Sequence, residues 1–469
     1  MHGLCNHRLP SSMSRRRALA TCAAGFGSLA LRGMLEAAAA TGSPLAAQTP
    51  RLPASAKRVI FLFMYGGPSA VDTFDYKPQL QRDSGKPLPF DKPRVEFAQT
   101  GDLLGSPWEF QRHGQSGHWV SSLFPEVAKC VDDLCFIKSI HGSNEAHGGA
   151  LLKIHTGSDT FTRPSLGSWL SYGLGTENAN LPSFITLNPT LLHGGVRNFG
   201  SAFLPAIHQA TRIGHKDASM KEVSIAHLRN ARLGMEEQRR ELDLLNRINR
   251  LQLEEIGEDA ELESRIEAFE LAFRMQMEAP EVLDISGESA ATRALYGVDQ
   301  EPTDNFARQC LLARRLAEAG VRYVQCTRGG WDSHNRLREQ HAKTAAMVDQ
   351  PIAALLKDLK ARGLLEETLV IWGGEFGRTP AAQGKDGRDH HPHAFTWWMA
   401  GGGVKPGFSY GATDEYGYYA AEDKAHIHDV HATILHLLGL NHKRLTYHYG
   451  GRDFRLTDVA GRVMQEMIG

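Results

Sequence analysis

The chain has few cysteines and almost no net charge. It contains six cysteines among 469 residues, and its formal charge is −1 with a pI near 7.1. No close Cys-x-x-Cys pair occurs among the four that lie beyond residue 47, which are Cys130, Cys135, Cys310 and Cys326. This spacing argues against a thiolate metal cluster, although it leaves a disulfide open. The balanced charge gives no reason to expect nucleic acid or an anionic membrane surface as a partner.

The sequence also lacks an N-terminal apolar run long enough to span a bilayer. A mildly apolar, Gly- and Ala-rich run of about 14 residues ends at Leu31, whereas roughly 20 are needed. It follows Arg15 and Arg16 in the form of a twin-arginine export signal, and small residues precede Gln48. We therefore expect residues 1–47 to be a signal peptide of a periplasmic or extracellular protein without a stable membrane span. A basic tail without an export role is the alternative.

Apolar runs alternate with helical patterns over most of the remaining chain. Strands are predicted at residues 58–65, 134–140, 181–187, 321–326, from 368 onward, and at 394–399. Helices are predicted at 308–319 and up to about 362, and strands separated by such helices imply a parallel sheet. The sequence thus predicts one α/β domain over residues 48–469, with a large, mostly parallel sheet sandwiched by helices.

One long segment, at about residues 221–280, is expected to be a helical insertion. Leu242, Leu245, Ile248 and Leu251 recur at the spacing of one helical stripe. This pattern predicts a helical hairpin or cap packed on the sheet. A coiled-coil partner surface is the alternative, although Gly257 interrupts the run.

Carboxylates and imidazoles recur just after predicted strands. Because the ends of parallel strands meet at one sheet edge, these side chains are expected to lie together and to bind a divalent metal. The candidate ligands are Asp72, Asp332, His334, Glu375, Asp389, His390 and His391. The residue types do not distinguish Zn, Ca, Mg and Mn. Ordinary turn and packing roles are the alternative for each residue.

Three histidines, His141, His147 and His155, lie where a predicted strand turns into a helix. A helix N-terminus presents free N–H groups that suit an anionic ester, while capping and packing are the alternative roles. Two further histidines, His431 and His436, lie on an amphipathic helix for which Asp429 is the predicted N-cap, and we expect them to be structural.

Several motifs together resemble the bacterial domain-of-unknown-function 1501 family. They are the twin-arginine start, YGGPSAVDTFD from Tyr65, WDSHN from Trp331, GEFGRTP from Gly374, GRDHHP from Gly387 and DVHATIL from Asp429. The resemblance covers nearly all of the chain beyond the signal. It implies a sulfatase-like branch of the alkaline phosphatase superfamily, with a large mixed sheet between helices and one or two metal ions at the strand ends.

The resemblance also implies roles for single residues. Asp72 is similar to the first-strand metal aspartate, and Asp332 with His334 resembles the Asp and His of another metal position. Either His390 or His391 resembles the third ligand of that position. Glu375 stands where an Asp-His pair is usual, but Phe376 follows it and cannot bind metal, so one imidazole is missing.

The nucleophile position of the sulfatases departs most from the family pattern. Counting back from Gly157, this position holds His147, while Ser143 lies one turn earlier. His147 is therefore the predicted catalytic residue, as a metal ligand, a general acid or base, or a nucleophile. Asn144, Arg378 and Arg388 are expected to bind the substrate.

These observations predict an exported, metal-dependent hydrolase of sulfate or phosphate esters, whose substrate is a small-molecule or glycan ester. Bound metal would lower the pKa of an attacking water and remove the need for a side-chain nucleophile. The alternative is a non-catalytic, sulfatase-like envelope protein that binds an anionic glycan or a protein partner.

Overall fold

A computed structural model describes residues 43–90, 99–216, 218–221, 225, 228, 230, 232–257 and 259–469. Both arginines of the predicted export signal lie outside these described residues. Within them, no helix combines the length and the apolar character that a bilayer crossing requires.

The central sheet has nine strands in the described part of the chain. In chain order they are β1 (Arg58–Met64), β2 (Leu134–His141), β3 (Phe184–Leu187), β4 (Thr211–Ile213), β5 (Tyr323–Arg328), β6 (Thr368–Gly373), β7 (Phe395–Ala400), β8 (Phe408–Tyr410) and β9 (Ala425–His426). Their spatial order is β8-β2-β7-β6-β1-β5-β3-β4, with β9 also paired to β2. Only β7 runs antiparallel to its neighbours. The start of β7 therefore lies at the same edge as the ends of β1, β2, β5 and β6.

Short strand pairs lie outside the central sheet. They join Thr100–Leu103 with Ala381–Gln383, Phe110–His113 with His118–Ser121, Gly377–Arg378 with His390–His391, Ala412–Thr413 with Ala420–Glu422, and Tyr447–Tyr449 with Arg452–Phe454. The pair that contains His390–His391 holds the loop before β7 against the loop after β6.

The helices are, in chain order, α1 (Ala70–Thr73), α2 (Pro78–Arg82), α3 (His147–Thr156), α4 (Leu166–Leu174), α5 (Met235–Ile256), α6 (Ala260–Leu283), α7 (Ala290–Tyr296), α8 (Asp304–Glu318), α9 (Leu337–Ala361) and α10 (Ile427–Leu437). Short 3-10 turns occur at Val127–Asp133, Gly195–Asn198, Ala206–His208, Leu365–Glu367 and Gln465–Met467.

The central strand β1 is buried on both faces, as its unbroken apolar sequence predicts. Its odd-numbered residues from Val59 to Phe63 pack in one core with α3, α4 and α10. Its even-numbered residues from Ile60 to Met64 pack in a second core with α8 and α9. Helices thus cover both faces of a mostly parallel sheet, which confirms the predicted α/β class.

Helices α5 and α6 lie in the segment for which the sequence predicts a helical insertion. Arg239 of α5 forms an ion pair with Glu270 of α6 at 2.8 Å, which links the two. The prediction that this stripe is packed and buried is wrong beyond its first residue, because only Leu242 is buried. The other three members are about half exposed, with Leu245 at 47%, Ile248 at 52% and Leu251 at 58%.

The cap of α10 and the cysteines also differ from expectation. His426 is the N-cap of α10, while Asp429 lies in the first turn and accepts the His426 N–H at 3.0 Å. Asp429 therefore completes a capping box rather than starting the helix. The four cysteines among the described residues, for which a disulfide was left open, are free and buried; they are Cys130, Cys135, Cys310 and Cys326.

Candidate metal centre

Imidazole and carboxylate groups from three loops meet at the edge where β5 and β6 end and β7 begins. Ligand atoms of His147, Asp332 and His390 all lie within 4.8 Å of one another, as do those of His334, Asp389 and His390. We call these five residues the donor cluster. The two triads share His390, so the cluster offers two adjoining positions for a cation.

Close backbone packing brings these loops together. Gly66, after β1, has φ +116°, and a Cβ there would lie 2.6 Å from the Asp332 nitrogen. A Cβ on Gly387 would lie 1.9 Å from the His334 carbonyl oxygen. Glycine avoids the clash at both positions, and at Gly66 it also avoids the backbone strain of a positive φ. The glycines flanking the site motifs therefore let one loop backbone lie directly against the next.

The ring of His147 is oriented by Glu375. His147 Nδ1 lies 2.7 Å from Glu375 Oε1, and the Gly66 N–H donates to both carboxylate oxygens, at 2.9 and 3.1 Å. Because a carboxylate oxygen accepts, the proton of a neutral His147 lies on Nδ1. Its Nε2 is buried, has no hydrogen-bond partner in the described residues, and lies 3.3 Å from Asp332 Oδ2. Glu375 thus acts on a ligand atom through the His147 ring.

The rings of His390 and His334 are held in the same way. His390 Nδ1 donates to the Glu145 carbonyl oxygen at 2.7 Å, and His334 Nδ1 lies 2.5 Å from Gln383 Oε1. Their Nε2 atoms lie 3.0 Å apart and face Asp332 Oδ1, at 3.2 and 3.0 Å. Lone pairs in such proximity repel one another unless a proton or a metal ion lies between them.

The electrostatics of the cluster favour positive charge. Burial raises the pKa of Asp332, but its contacts with His147, His334 and His390 and the charge of Arg378 hold it far below its ordinary range. Burial lowers the pKa of His147, yet Asp332 and Glu375 raise it to about 9. Asp332 likewise raises the pKa of His334. Protons therefore occupy the cluster when no metal ion is bound, and a metal ion must displace them.

The donor set fits a divalent transition metal. Imidazole nitrogens with a carboxylate are the usual ligands of zinc, whereas calcium and magnesium prefer oxygen ligands throughout. Besides His147 Nε2, Asp389 Oδ2 is buried without a hydrogen-bond partner among the described residues. The cluster therefore contains ligand atoms for which the protein itself supplies no partner.

The buried Arg378 makes its hydrogen bonds to groups within the site. Its Nη2 lies 2.5 Å from Asp332 Oδ1 and also bonds to the Gly66 carbonyl, while its other donors reach the carbonyls of Gly67 and Arg388, at 3.0 and 3.1 Å. This guanidinium therefore holds Asp332 in place. The sequence had predicted that Arg378 would bind the substrate.

A second arginine pairs with the predicted metal aspartate. Arg388 contacts Asp72 at 2.7 and 3.1 Å, both side chains are fully buried, and the remaining donors of Arg388 reach the carbonyls of Thr379 and Leu104. Burial raises the pKa of Asp72, but Arg388 lowers it overall. The structure thus places Asp72 and Arg388 in a buried ion pair outside the donor cluster.

Other predicted site residues also have different partners. His391 points its Nε2 at the Tyr418 carbonyl oxygen, at 2.5 Å, and is buried there. Asn144 accepts the Ala146 N–H at 2.9 Å, ahead of α3. The ring of Phe376, which the family pattern would replace by an imidazole, packs against His147 and His390 with centroids 5.0 and 4.3 Å apart.

Sequence reasoning missed Tyr65 and His193. The Tyr65 hydroxyl lies 2.7 Å from His193 Nδ1, and the His193 ring stacks on His147 with centroids 5.1 Å apart. Tyr65 could have been found, since it directly follows β1 at the edge that carries the site. A lone histidine in an irregular loop carries no such signal. Gln383, which holds His334, carries none either.

Comparisons with known proteins agree with the motifs. Residues 56–468 match the family described as "Protein of unknown function (DUF1501)". The solved structures that resemble the chain include the PsFucS1 sulfatase from Pseudoalteromonas sp., with 13% identity and a TM-score of 0.34 over 82% of this chain and 68% of that one. No curated protein matches the chain.

Two further solved structures are similar at this level. The lipoteichoic acid synthase LtaP from Listeria monocytogenes has 8% identity and a TM-score of 0.33, over 85% of this chain and 76% of that one. A mutant of TAB5 alkaline phosphatase with Mg bound in its M3 site has 10% identity and a TM-score of 0.30, over 84% of this chain and 100% of that one. At such scores the likeness carries no argument about activity.

Proposed function

This chain belongs to the DUF1501 family, and we propose that it is an exported, metal-dependent hydrolase of sulfate or phosphate esters. The observation that carries the proposal is the convergence of three imidazole Nε2 atoms on the Asp332 carboxylate. It occurs at the carboxyl edge of the sheet, where open α/β folds bind their ligands.

In this proposal the donor cluster holds one or two metal ions. His147, Asp332 and His390 supply one position, and His334 and Asp389 supply a second one around the shared His390. The nitrogen-rich set favours zinc over calcium, magnesium and manganese. A metal ion bound there would supply Lewis acidity to the ester and lower the pKa of water toward about 7.

The surrounding residues keep the ligands in place. Glu375 fixes the His147 ring, and Arg378 holds Asp332 while using its remaining donors on backbone carbonyls. The Phe376 ring covers one side of His147 and His390 and excludes water from it. Such outer contacts set the orientation and affinity of metal ligands.

Water is the proposed nucleophile. The hydroxyls nearest in sequence to the ligands are committed elsewhere, since Ser143 donates to Asp159 at 2.8 Å and Ser333 bonds to His341 at 2.9 Å. The water oxygen forms a bond to sulfur or phosphorus, and the bond to the alcohol oxygen breaks. One water proton passes to the released alcohol, and the other stays with the sulfate or phosphate. His147 is then a ligand rather than the attacking group.

Metal analysis combined with an ester panel tests the proposal. The purified chain is analysed for metals, dialysed against EDTA, and reloaded with Zn, Mn, Ca or Mg before turnover of an aryl sulfate and an aryl phosphate is measured. We expect chelation to abolish turnover and Zn to restore it better than Mn, Ca or Mg. If no divalent metal can be loaded, the hydrolase proposal is wrong. Metal binding without turnover of either ester would instead support a non-catalytic protein that binds an anionic glycan or a protein partner.

Export is a separate part of the proposal and rests on Arg15 and Arg16 ahead of the short apolar run. Replacing both arginines by lysine should trap the precursor in the cytoplasm, as seen by cell fractionation. Normal export of that variant would contradict the twin-arginine assignment.

A further inference from the structure

Carboxylates in and beside the donor cluster repel an anionic ester, whereas the metal ions of the proposed function would attract it. Asp332, Glu375 and Asp389 contribute three carboxylates, while the adjacent Arg378 and Arg388 are almost wholly buried and spend their donors inside the protein. Neither arginine is thus placed to receive the substrate. A side-chain cation that adds to the attraction by the metal ions must therefore come from the rim of the site.

Lys216 lies on this rim, and its positive charge is not paired with a carboxylate of the described residues. It follows β4 at the edge that carries the cluster, and its backbone N–H donates to the Pro189 carbonyl at 3.1 Å. Its side chain is exposed, and no carboxylate of the described residues forms an ion pair with it. Its ammonium nitrogen lies 5.7 Å from the centre of the Tyr65 ring, a distance at which a cation is attracted to an aromatic face.

Tyr65 connects Lys216 to the metal ligands. Its ring lies 5.6 Å from the His147 ring, and its hydroxyl bonds to His193, which stacks on His147. The Lys216 ammonium therefore lies against the aromatic ring that neighbours the ligand His147.

We propose that Tyr65, His193 and Lys216 form an anion-binding wall beside the donor cluster, in which Lys216 binds the anionic group of the substrate. The inference rests on the proposed function and makes Lys216 the residue that selects anionic esters. Tyr65 and His193 position it and shape the wall. Lys216 offsets the repulsion from the carboxylates without taking part in bond breaking.

Exchanges at Lys216 in the metal-loaded full chain test the wall. Lys216→Ala should weaken binding of inorganic phosphate by up to about fivefold, the upper end for one exposed ionic contact. Lys216→Glu should weaken it more, and Lys216→Arg should stay within about twofold of the native affinity because it keeps the charge. The KM for aryl esters should rise in parallel, with kcat and metal content nearly unchanged. Lys57→Ala is the matched control, since Lys57 is exposed just before β1, at the opposite edge of the sheet.

The outcomes separate this inference from the hydrolase proposal. Native phosphate affinity in Lys216→Ala, or an equal loss in Lys57→Ala, overturns the wall even if esters are hydrolysed. Lys216-dependent phosphate binding in a chain that hydrolyses neither ester supports the wall and overturns the hydrolase. A fall in kcat with unchanged KM would also contradict a binding role.

Discussion

Two histidine-rich regions of the molecule use the same side chain in opposite ways. In the donor cluster, His147 and His390 bond through Nδ1, and their Nε2 atoms face the charged Asp332. On α10, His428 and His431 bond through Nε2 to the carbonyls of Gly157 and Ile154, both at 2.7 Å, and their Nδ1 atoms are buried without partners in the described residues. A shared carboxylate, rather than the number of histidines, distinguishes a metal site from packing.

The protonation of the two regions differs accordingly. Asp332 and Glu375 overcome burial and raise the pKa of His147 to about 9. On α10, burial and then the neighbouring His428 lower the pKa of His431 to about 3. The neutral α10 histidines hold the C-terminal end of α3, the helix whose first residue is His147. One region therefore supplies the candidate metal ligands, and the other fixes the helix that carries one of them.

Removing one histidine from each region tests most directly whether the two regions have different roles. His390→Ala removes the ligand shared by both triads, so metal content should fall close to zero and kcat/KM by about a thousandfold or more. His431→Ala should lower stability but leave the metal content of the folded protein unchanged. Elemental analysis of both variants is the measurement. Retained metal in His390→Ala, or lost metal in His431→Ala, would reverse the two roles.

Asp72→Ala tests whether a carboxylate outside the cluster is structural. It leaves Arg388 charged and buried without its partner, which should lower the free energy of unfolding by about 3–5 kcal/mol. Urea unfolding of the variant measures the loss, and adding Arg388→Met should recover part of it. Depletion of metal at unchanged stability would show instead that Asp72 is a ligand.

Glu375→Gln tests whether the charge of Glu375 strengthens metal binding through His147. Glutamine keeps an acceptor for His147 Nδ1 but removes the charge, so metal affinity should fall about 10- to 100-fold while binding persists. Competition with a metal indicator measures the affinity. Glu367→Gln, at the exposed opposite edge of the sheet, is the control. Equal affinities in both variants and the native chain would remove Glu375 from the site.

Another prediction concerns pH and the α10 region. Because the pKa of His431 is about 3 in the folded chain and about 6.5 when unfolded, the unfolded state binds an extra proton between these values. This contribution to stability is complete above pH 6.5 and is lost as the pH falls toward 3. His431→Gln should reduce the pH slope by up to about 1.4 kcal/mol per unit. Urea unfolding from pH 7 to 4 measures it.

The fold was predictable where the signal is local. The apolar run that forms β1 and the alternation of strands and helices were read within a few residues, since periodicity depends on near neighbours. The short strands β4, β8 and β9 were missed because two or three residues carry little pattern. The exposed Leu245 shows that a helical stripe does not reveal whether anything covers it.

The sequence predicted which types of residue lie at the site, but not which groups each side chain contacts. Asp332, His334 and Glu375 directly follow strands, so the motifs predicted the edge of the sheet at which they lie. His390 and His391 are adjacent on a short strand, and neighbouring side chains on a strand point to opposite faces. Only the fold shows that His390 joins the cluster while His391 meets Tyr418.

The sequence alone determined an α/β sheet with carboxylates and imidazoles at its ligand-binding edge, because strand periodicity and strand ends are local properties. Tertiary structure decided which of those groups are free to bind metal. Asp72 is paired with Arg388, which is 316 residues away along the chain, while Glu375 and Glu145 turn two imidazoles toward Asp332. The role of a titratable side chain depends on the charge and the acceptors that face it, and distant parts of the chain supply these.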